Sequence, residues 1–429
     1  MIEFKTITGN TYCYNKDTNR ISLKEKSQIS QTNSKFLFTP NKSFTTNKIT
    51  MFTLEMTQQC NLRCKYCCYS GEYRDRRAHN PQTMSEKTIH QVLEFIHKHL
   101  DIDAEKFTIC FYGGESLLCF NEIKKITSIL YETYKNKVRF SISTNGYALS
   151  EKIIDWICTY PELFINVTID GAKEMHNNNR KTITGKGTFD TIAQNLVLFK
   201  NKYPKEYDKR IRFLSTVYRW SDVKKINDQW NNYSFLKGHL PVHISHIIPN
   251  FKDTIRNYDT YEDKNLFYAD ALNQYKKGEN TIMTSALQKL VAITKHRNIS
   301  YTKEKQEVIT CFNQLFSCFI NAEGDIYACE KFCDEFKIGN VSVGFQKEKL
   351  VQLTDKFIAR KNKHCQSCWA VRMCRMCMTG LNFSDEEMSK LCEMERDSIL
   401  LSLKYYCEVK EWDNFKEKAT AIINILKNK

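Results

Sequence analysis

From Thr50 to residue 247 the chain repeats one pattern: a short apolar run rich in β-branched and aromatic residues, then a longer stretch whose apolar residues recur every three or four positions. The first kind of run reads as a strand and the second as a helix with one buried stripe. The expected strands are 50–56, 107–112, 138–143, 164–169, 211–217 and 242–247. Between the first two, Thr83 and Glu86 form a capping-box signature, and Ile89, Val92, Leu93, Ile96 and Leu100 follow at helical spacing. Phe189, Ile192, Ala193, Leu196 and Phe199 give a second stripe over 188–200, and a further helix is expected from Ser221. Strands that alternate with helices predict a parallel sheet with crossover helices. Six such units make an α/β partial (β/α)6 barrel, whose chemistry gathers at the C-terminal ends of the strands.

On either side the pattern changes. Residues 1–49 are polar, with Phe4, Ile7, Tyr12, Tyr14 and Ile21 around the turn-like Asn15-Lys16-Asp17, which predicts a small hairpin and a linker ending near Asn47. Beyond residue 250 the chain is helical and charged; Leu287, Leu290 and Val291 mark one amphipathic helix. A last run, 393–426, with Ile399, Leu403, Tyr406, Trp412 and Phe415, is expected to pack on the barrel. The 429 residues exceed one ordinary domain, and the expected division is 1–49, 50–300, 301–395 and 396–429.

Composition narrows the function. The first residues lack the apolar segment of a secretory signal, and no apolar run approaches the roughly 18 residues of a membrane span, so a cytoplasmic protein is expected. The net charge of +15 comes from lysines and arginines spread along the chain with no block of five or six. That is a solvated surface, and no basic stretch interleaved with aromatics points to nucleic acid. Eighteen cysteines without an export signal favour metal ligation over disulfides.

The cysteines fall into two sets. The first is Cys60-Asn-Leu-Arg-Cys64-Lys-Tyr66-Cys67-Cys68, directly after the first strand. Three thiols can converge on one centre, whereas a protein-held iron–sulfur cluster normally takes four, so one iron would stay open. A structural zinc knuckle is the rival reading, and it wants four ligands. The next three strands end in Gly113-Gly114-Glu115-Ser116, in Ser143-Thr144-Asn145-Gly146, and in Asp170-Gly171 followed by His176 and Arg180. His243 and His246, three apart on the last strand, face opposite sides and are expected to be packing or surface groups. The second set runs Cys311, Cys318, Cys329, Cys333, Cys365, Cys368, Cys374, Cys377 and Cys392. Two pairs at two-residue spacing are a metal signature, and spacing alone allows two four-cysteine zinc sites.

Taken in order, these motifs resemble the radical S-adenosylmethionine (SAM) superfamily, and the second set resembles the SPASM extension of its peptide- and protein-modifying members, related to the anaerobic sulfatase-maturating enzymes. The resemblance implies a TIM-like partial barrel with a C-terminal SPASM extension, and three [4Fe–4S] clusters. Cys60, Cys64 and Cys67 would hold the cluster that binds SAM, with Tyr66, Gly113, Gly114, Glu115, Ser143, Asn145 and Arg180 around the cofactor. Cys311, Cys318, Cys329 and Cys377 would hold a first auxiliary cluster, with Cys333 the alternative to Cys318. Cys365, Cys368, Cys374 and Cys392 would hold a second. Ser116 stands where the family has proline, and two residues rather than three separate Cys374 from Cys377. Glu330 stands where sulfatase-maturating relatives have an aspartate base, and it is the candidate catalytic base here, with a plain surface glutamate as the rival. The implied activity is hydrogen-atom abstraction from a ribosomally made precursor peptide, forming a C–C, C–S or C–O cross-link, fed by an external electron donor of flavodoxin or ferredoxin type. Formylglycine generation in a sulfatase is the first alternative; a peptide epimerase, an RNA-modifying enzyme and a non-enzymatic zinc protein are further ones.

Overall fold

The computed structural model describes the chain except residues 27–33, 72, 74–76, 247–258, 302–304, 314 and 428–429, and the side chains of 418–427. It forms two compact units, one of residues 41–257 and 309–354, the other of 1–40, 258–308 and 355–429.

The first unit is built on a ten-stranded sheet. Its strands are β1 Met51–Thr57, β2 Phe107–Gly113, β3 Val138–Thr144, β4 Leu163–Thr168, β5 Ile211–Val217, β6 Pro241–His246, β7 Ser317–Ile320, β8 Asp325–Tyr327, β9 Gly339–Asn340 and β10 Gly344–Phe345, in the order β6-β5-β4-β3-β2-β1-β7-β8-β9-β10. Neighbours from β6 to β7 are parallel, and the rest are antiparallel. The six expected strands are all present, each within a residue at either end; residue 247, the last of the expected sixth strand, lies outside the described residues.

Along β2 the residues Phe107, Ile109 and Phe111 are buried while Thr108, Cys110 and Tyr112 are half-buried, and β4 and β5 alternate in the same way. Successive side chains of a strand point to opposite faces, so one face is sealed and the other lines a more open concavity. The crossover helices are α1 Glu86–His99, α2 Phe120–Tyr134, α3 Glu151–Cys158, α4 Phe189–Lys202 and α5 Trp220–Trp230. Among the described residues these helices join the six parallel strands of the expected partial barrel, and the next helix, Tyr261–Lys276, lies in the other unit. The start of α1 also differs from expectation. Its N-cap is Ser85, which accepts from the Thr88 N–H at 3.1 Å, while the Thr83 hydroxyl is engaged by that of Thr57 at 3.0 Å.

In the second unit the expected hairpin is a three-stranded antiparallel meander, Ile2–Lys5, Thr11–Asn15 and Arg20–Leu23, and Leu37–Pro40 pairs in parallel with Lys305–Val308. It also holds the second half of helix Lys347–His364 and helices Tyr261–Lys276, Ile282–Lys295 and Asp385–Lys427. The apolar face of the last, Ile399, Leu403 and Cys407, packs within its own unit on Phe4, Tyr14, Ala370 and Met373. Arg372 ties the segment together, donating to the carbonyls of Lys16, Asn298 and Tyr301 at 2.5, 3.1 and 2.8 Å. Among the described residues no helix is long and apolar enough to cross a membrane.

Candidate active site

The loop that follows β1 carries Cys60, Cys64 and Cys67, all half-buried. Its first half is fixed by a short antiparallel pairing of Leu62–Cys64 with Arg180–Thr182, in which Cys64 lies opposite Arg180. The thiols sit in an environment that resists ionisation: burial pushes Cys60 up to about 11 and raises Cys64, and a hydrogen bond with Cys68, together with burial, raises Cys67. A thiol is the ligand only as thiolate; the Arg180 charge favours that form at Cys60 and Cys64, but burial outweighs it, so a metal centre would have to supply the rest. His79 approaches Cys67 Sγ at 3.6 Å through Nε2, and Asn145 Nδ2 approaches Cys60 Sγ at 3.8 Å while donating to Asn61 Oδ1 at 2.7 Å.

The glycines Gly113 and Gly114 sit against the segment that leads to the cysteine loop. A Cβ on Gly113 would lie 2.2 Å from the Thr57 carbonyl oxygen, and one on Gly114 would lie 2.1 Å from that of Gln59. The two backbones are zipped together, with Gly114 N–H donating to Thr57 O and Glu115 N–H to Gln59 O, each at 2.8 Å. Glycine permits close approach, here to the segment that delivers Cys60. The Glu115 carboxylate is fully buried and committed to the chain itself. It accepts from the Thr144 hydroxyl at 2.6 Å, Asn145 N–H at 2.7 Å and Leu117 N–H at 3.1 Å. Ser116, standing in the proline position, donates to the Ser143 carbonyl at 2.7 Å. Strand ends β1, β2 and β3 are thus laced into one floor.

The β4 end completes it. Arg180, 6 % exposed, donates through Nη1 to the Tyr66 hydroxyl at 2.9 Å, and that hydroxyl donates to the Asp170 carboxylate. Arg180 Nε is buried with no hydrogen-bond partner. Asp170 is fully buried, also accepts from Thr216 N–H at 3.0 Å, and is pushed up by burial against the opposing pull of Arg180. Behind it His176 Nδ1 accepts from Asp170 N–H at 3.3 Å; Nε2 is left to donate to Thr188 Oγ1 at 3.1 Å, and Thr188 donates to the Arg180 carbonyl at 3.0 Å.

Three groups that sequence reasoning passed over share this end of the sheet. Glu55, on β1 and fully buried, accepts from the Tyr69 hydroxyl at 2.5 Å, Gln58 Nε2 at 2.8 Å and Ala322 N–H at 3.1 Å. Arg77 lies 3.4 Å from the same carboxylate. A charged residue inside an apolar strand was the one available signal for Glu55; nothing marked Arg77 or Asn61. Glu330 is half-buried, and its charge raises both Tyr112 and Cys110, though burial is the larger cause for each. Its backbone carbonyl is held by Arg77 Nη1 at 2.9 Å. His243 is exposed, and His246 packs on Trp220 with ring centroids 4.1 Å apart.

The second cysteine set is divided between the units. Cys318 is buried on β7, Cys311 is exposed, and Cys329 and Cys333 are half-buried in the turn after β8. In the other unit Cys365, Cys368, Cys374, Cys377 and Cys392 line one cleft together with Arg360, Lys361 and Arg396. Cys377, which the resemblance assigns to the first auxiliary set, thus shares a cleft with all four of the second. Burial raises Cys365 and Cys392 and pushes Cys374 up to about 12. Among the described residues no three His, Cys, Asp or Glu gather around a single ion-sized point. A four-iron cluster instead takes one thiolate on each iron, at separate corners.

Residues 54–209 match the Radical SAM superfamily. A cysteine-type anaerobic sulfatase-maturating enzyme of Clostridium perfringens is 25% identical over 386 residues, which is 86% of this chain and 96% of that protein. A radical SAM cyclopropyl synthase, TigE, of Paramaledivibacter caminithermalis is 26% identical over 180 residues, 38% of each chain. Among solved structures, native anSMEcpe with bound AdoMet superposes with a TM-score of 0.59 at 18% identity, covering 88% of this chain and all of that one, a likeness of fold.

Proposed function

We propose, on the premise that this chain carries a radical SAM domain over residues 54–209, that it is an enzyme that modifies a ribosomally made precursor peptide, joining two of its atoms by a C–C, C–S or C–O bond. The observation that carries the reading is the convergence of four strand ends on the cysteine loop, with the orphaned Arg180 Nε among them. SAM on a cluster with one open iron would supply the hydrogen-abstracting radical.

The residues present suit that cofactor. Cys60, Cys64 and Cys67 offer three thiols and leave a fourth coordination position open. Arg180 offers a buried guanidinium edge of the kind that clamps a carboxylate, and SAM has one. Tyr66 and Asp170 fix the plane of that guanidinium, and Ser143 and Asn145 stand at the adjoining strand end. The Glu115 carboxylate holds this floor together and touches the cofactor at most through its backbone.

For a cross-link the peptide gives up one hydrogen atom and one proton, and one electron is left over. Glu330 would take the proton. The second cysteine set would hold two further clusters, which makes three in all and gives the electron a first acceptor. A one-electron donor of flavodoxin or ferredoxin type and a cytoplasmic setting complete the proposal. Formylglycine generation is the second reading, favoured by the near full-length likeness to a sulfatase-maturating enzyme; Glu330 in place of an aspartate favours the first.

The test is anaerobic purification followed by incubation with SAM, dithionite and two probes: the peptides encoded by short reading frames beside the gene, and the Cp18Cys peptide bound by the relative of that fold. About twelve irons per chain, four per cluster, deoxyadenosine release and loss of two hydrogens from a neighbouring-frame peptide are expected. Conversion of the cysteine in Cp18Cys to an aldehyde would move the assignment to sulfatase maturation, and a colourless protein holding zinc would end both.

A further inference from the structure

Among the described cations near the cysteine loop Arg77 makes the most directed contacts, and neither the proposed cofactor set nor the proposed base includes it. It follows the loop by a short return: Ser70 bridges Ala78, and His79 N–H donates to the Tyr69 carbonyl at 2.7 Å. From there its guanidinium reaches three targets. Nε faces Glu55 Oε1 at 3.4 Å, Nη1 donates to the Glu330 carbonyl at 2.9 Å, and Nη2 donates to the Phe332 carbonyl at 2.7 Å. Its plane lies over the rings of Phe319 on β7 and Tyr327 on β8, at 4.3 and 5.2 Å. The side chain is 12% exposed and the Glu55 side chain wholly buried.

We propose that Arg77 is a positioning residue that locks the turn from Cys329 to Cys333 to the Cys60–Tyr69 loop, and so holds Glu330 in place. The geometry is specific to arginine. Two carbonyls two residues apart, Glu330 and Phe332, are bridged by the two ends of one planar fork, while the third nitrogen faces a carboxylate that Tyr69, the last residue of the loop, also grips. An ammonium could pair with Glu55 but could not span both carbonyls. Without the fork the turn keeps its neighbours on β8 but loses the tie to the loop that this guanidinium provides. Glu330 is then no longer held in one position. The inference rests on the reading of Glu330 as the proton acceptor; the clamp itself does not.

The experiment compares the iron-reconstituted full chain with Arg77→Gln and Arg77→Lys. Backbone hydrogen exchange over 329–333 should quicken at least about tenfold in Arg77→Gln and less in Arg77→Lys, since the opened turn loses two donors. Deoxyadenosine released from SAM and dithionite without peptide should stay within about twofold of the parent. With whichever probe peptide the parent modifies, product formed per deoxyadenosine should fall roughly 10- to 100-fold in Arg77→Gln, the scale of a misplaced catalytic group, with partial rescue in Arg77→Lys. A general folding role would lower deoxyadenosine and product together, and that result overturns the proposal, as does unchanged exchange in Arg77→Gln. Should Arg77→Gln fail to fold, Arg77→Lys carries the same comparison. A parent that binds iron but makes no deoxyadenosine would refute the reading of the Cys60 loop, and the exchange data would still decide the clamp.

Discussion

His176 converts the architecture of the β4 end into a measurable pH dependence. Its Nδ1 accepts from Asp170 N–H and its Nε2 donates to Thr188, so the neutral ring satisfies both neighbours. A second proton on Nδ1 would face an N–H donor. Burial first, and the charge of Arg180 second, push the imidazole down from 6.5 to about 3. The sign follows from linkage: the unfolded chain takes up a proton near 6.5 and the folded one does not, so the contribution to stability is complete above 6.5 and is lost as pH falls toward 3. At 1.36 kcal/mol per unit, a fall from pH 7 to pH 5 removes about 2 kcal/mol. The assay is urea unfolding of the apoprotein at both pH values, for the parent and His176→Gln. The substitution costs stability at pH 7 through lost packing, but its further loss between pH 7 and 5 should be smaller than the parent's by about 2 kcal/mol. Equal pH dependence in the two proteins would refute both the tautomer and the depressed value.

Other substitutions probe the floor beneath the cysteine loop. Gly114→Ala drives a methyl into the Gln59 carbonyl and breaks two backbone hydrogen bonds; a loss of about 2–4 kcal/mol is expected in thermal unfolding, together with reduced iron at Cys60, Cys64 and Cys67. Glu115→Gln presents an amide N–H to one of three donors, the buried Asn145 N–H if Nε2 replaces Oε2, and should cost about 3 kcal/mol by the same measurement. Arg180→Lys keeps the charge but not the fork, and SAM affinity measured by calorimetry should weaken by roughly tenfold or more with iron content unchanged; equal affinity would remove Arg180 from the cofactor site.

The strands were legible because each expresses its own local preference: runs such as Phe-Thr-Ile-Cys-Phe-Tyr or Val-Arg-Phe-Ser-Ile-Ser suit a pleated, buried surface wherever they pair. Strand β7 was not, since Ser317–Ile320 is four residues long and becomes a strand only by pairing with β1. The capping signature at Thr83 misled by two residues because a second hydroxyl, Ser85, was in reach of the helix N-terminus and Thr83 had a partner on β1. At the site, motif residues were found at the right strand ends, but their chemistry was not readable. Whether the Glu115 carboxylate faces a ligand or its own chain depends on where β3 ends, and whether Arg77 is a surface charge or a clamp depends on a turn more than 250 positions away, 253 from Glu330.

The placement of β7 beside β1 also has a consequence for synthesis. Thr50 and Phe316, which share a hydrogen bond at that seam, are 266 positions apart. At about 5–20 residues per second, the ribosome exposes the β1 edge for tens of seconds before its partner emerges. During that interval an apolar parallel strand stands with its backbone groups unpaired, next to thiols that need iron. The nascent chain is therefore the vulnerable form of this protein, and overexpression should reward slow translation and early iron supply more than it rewards any change to the finished fold.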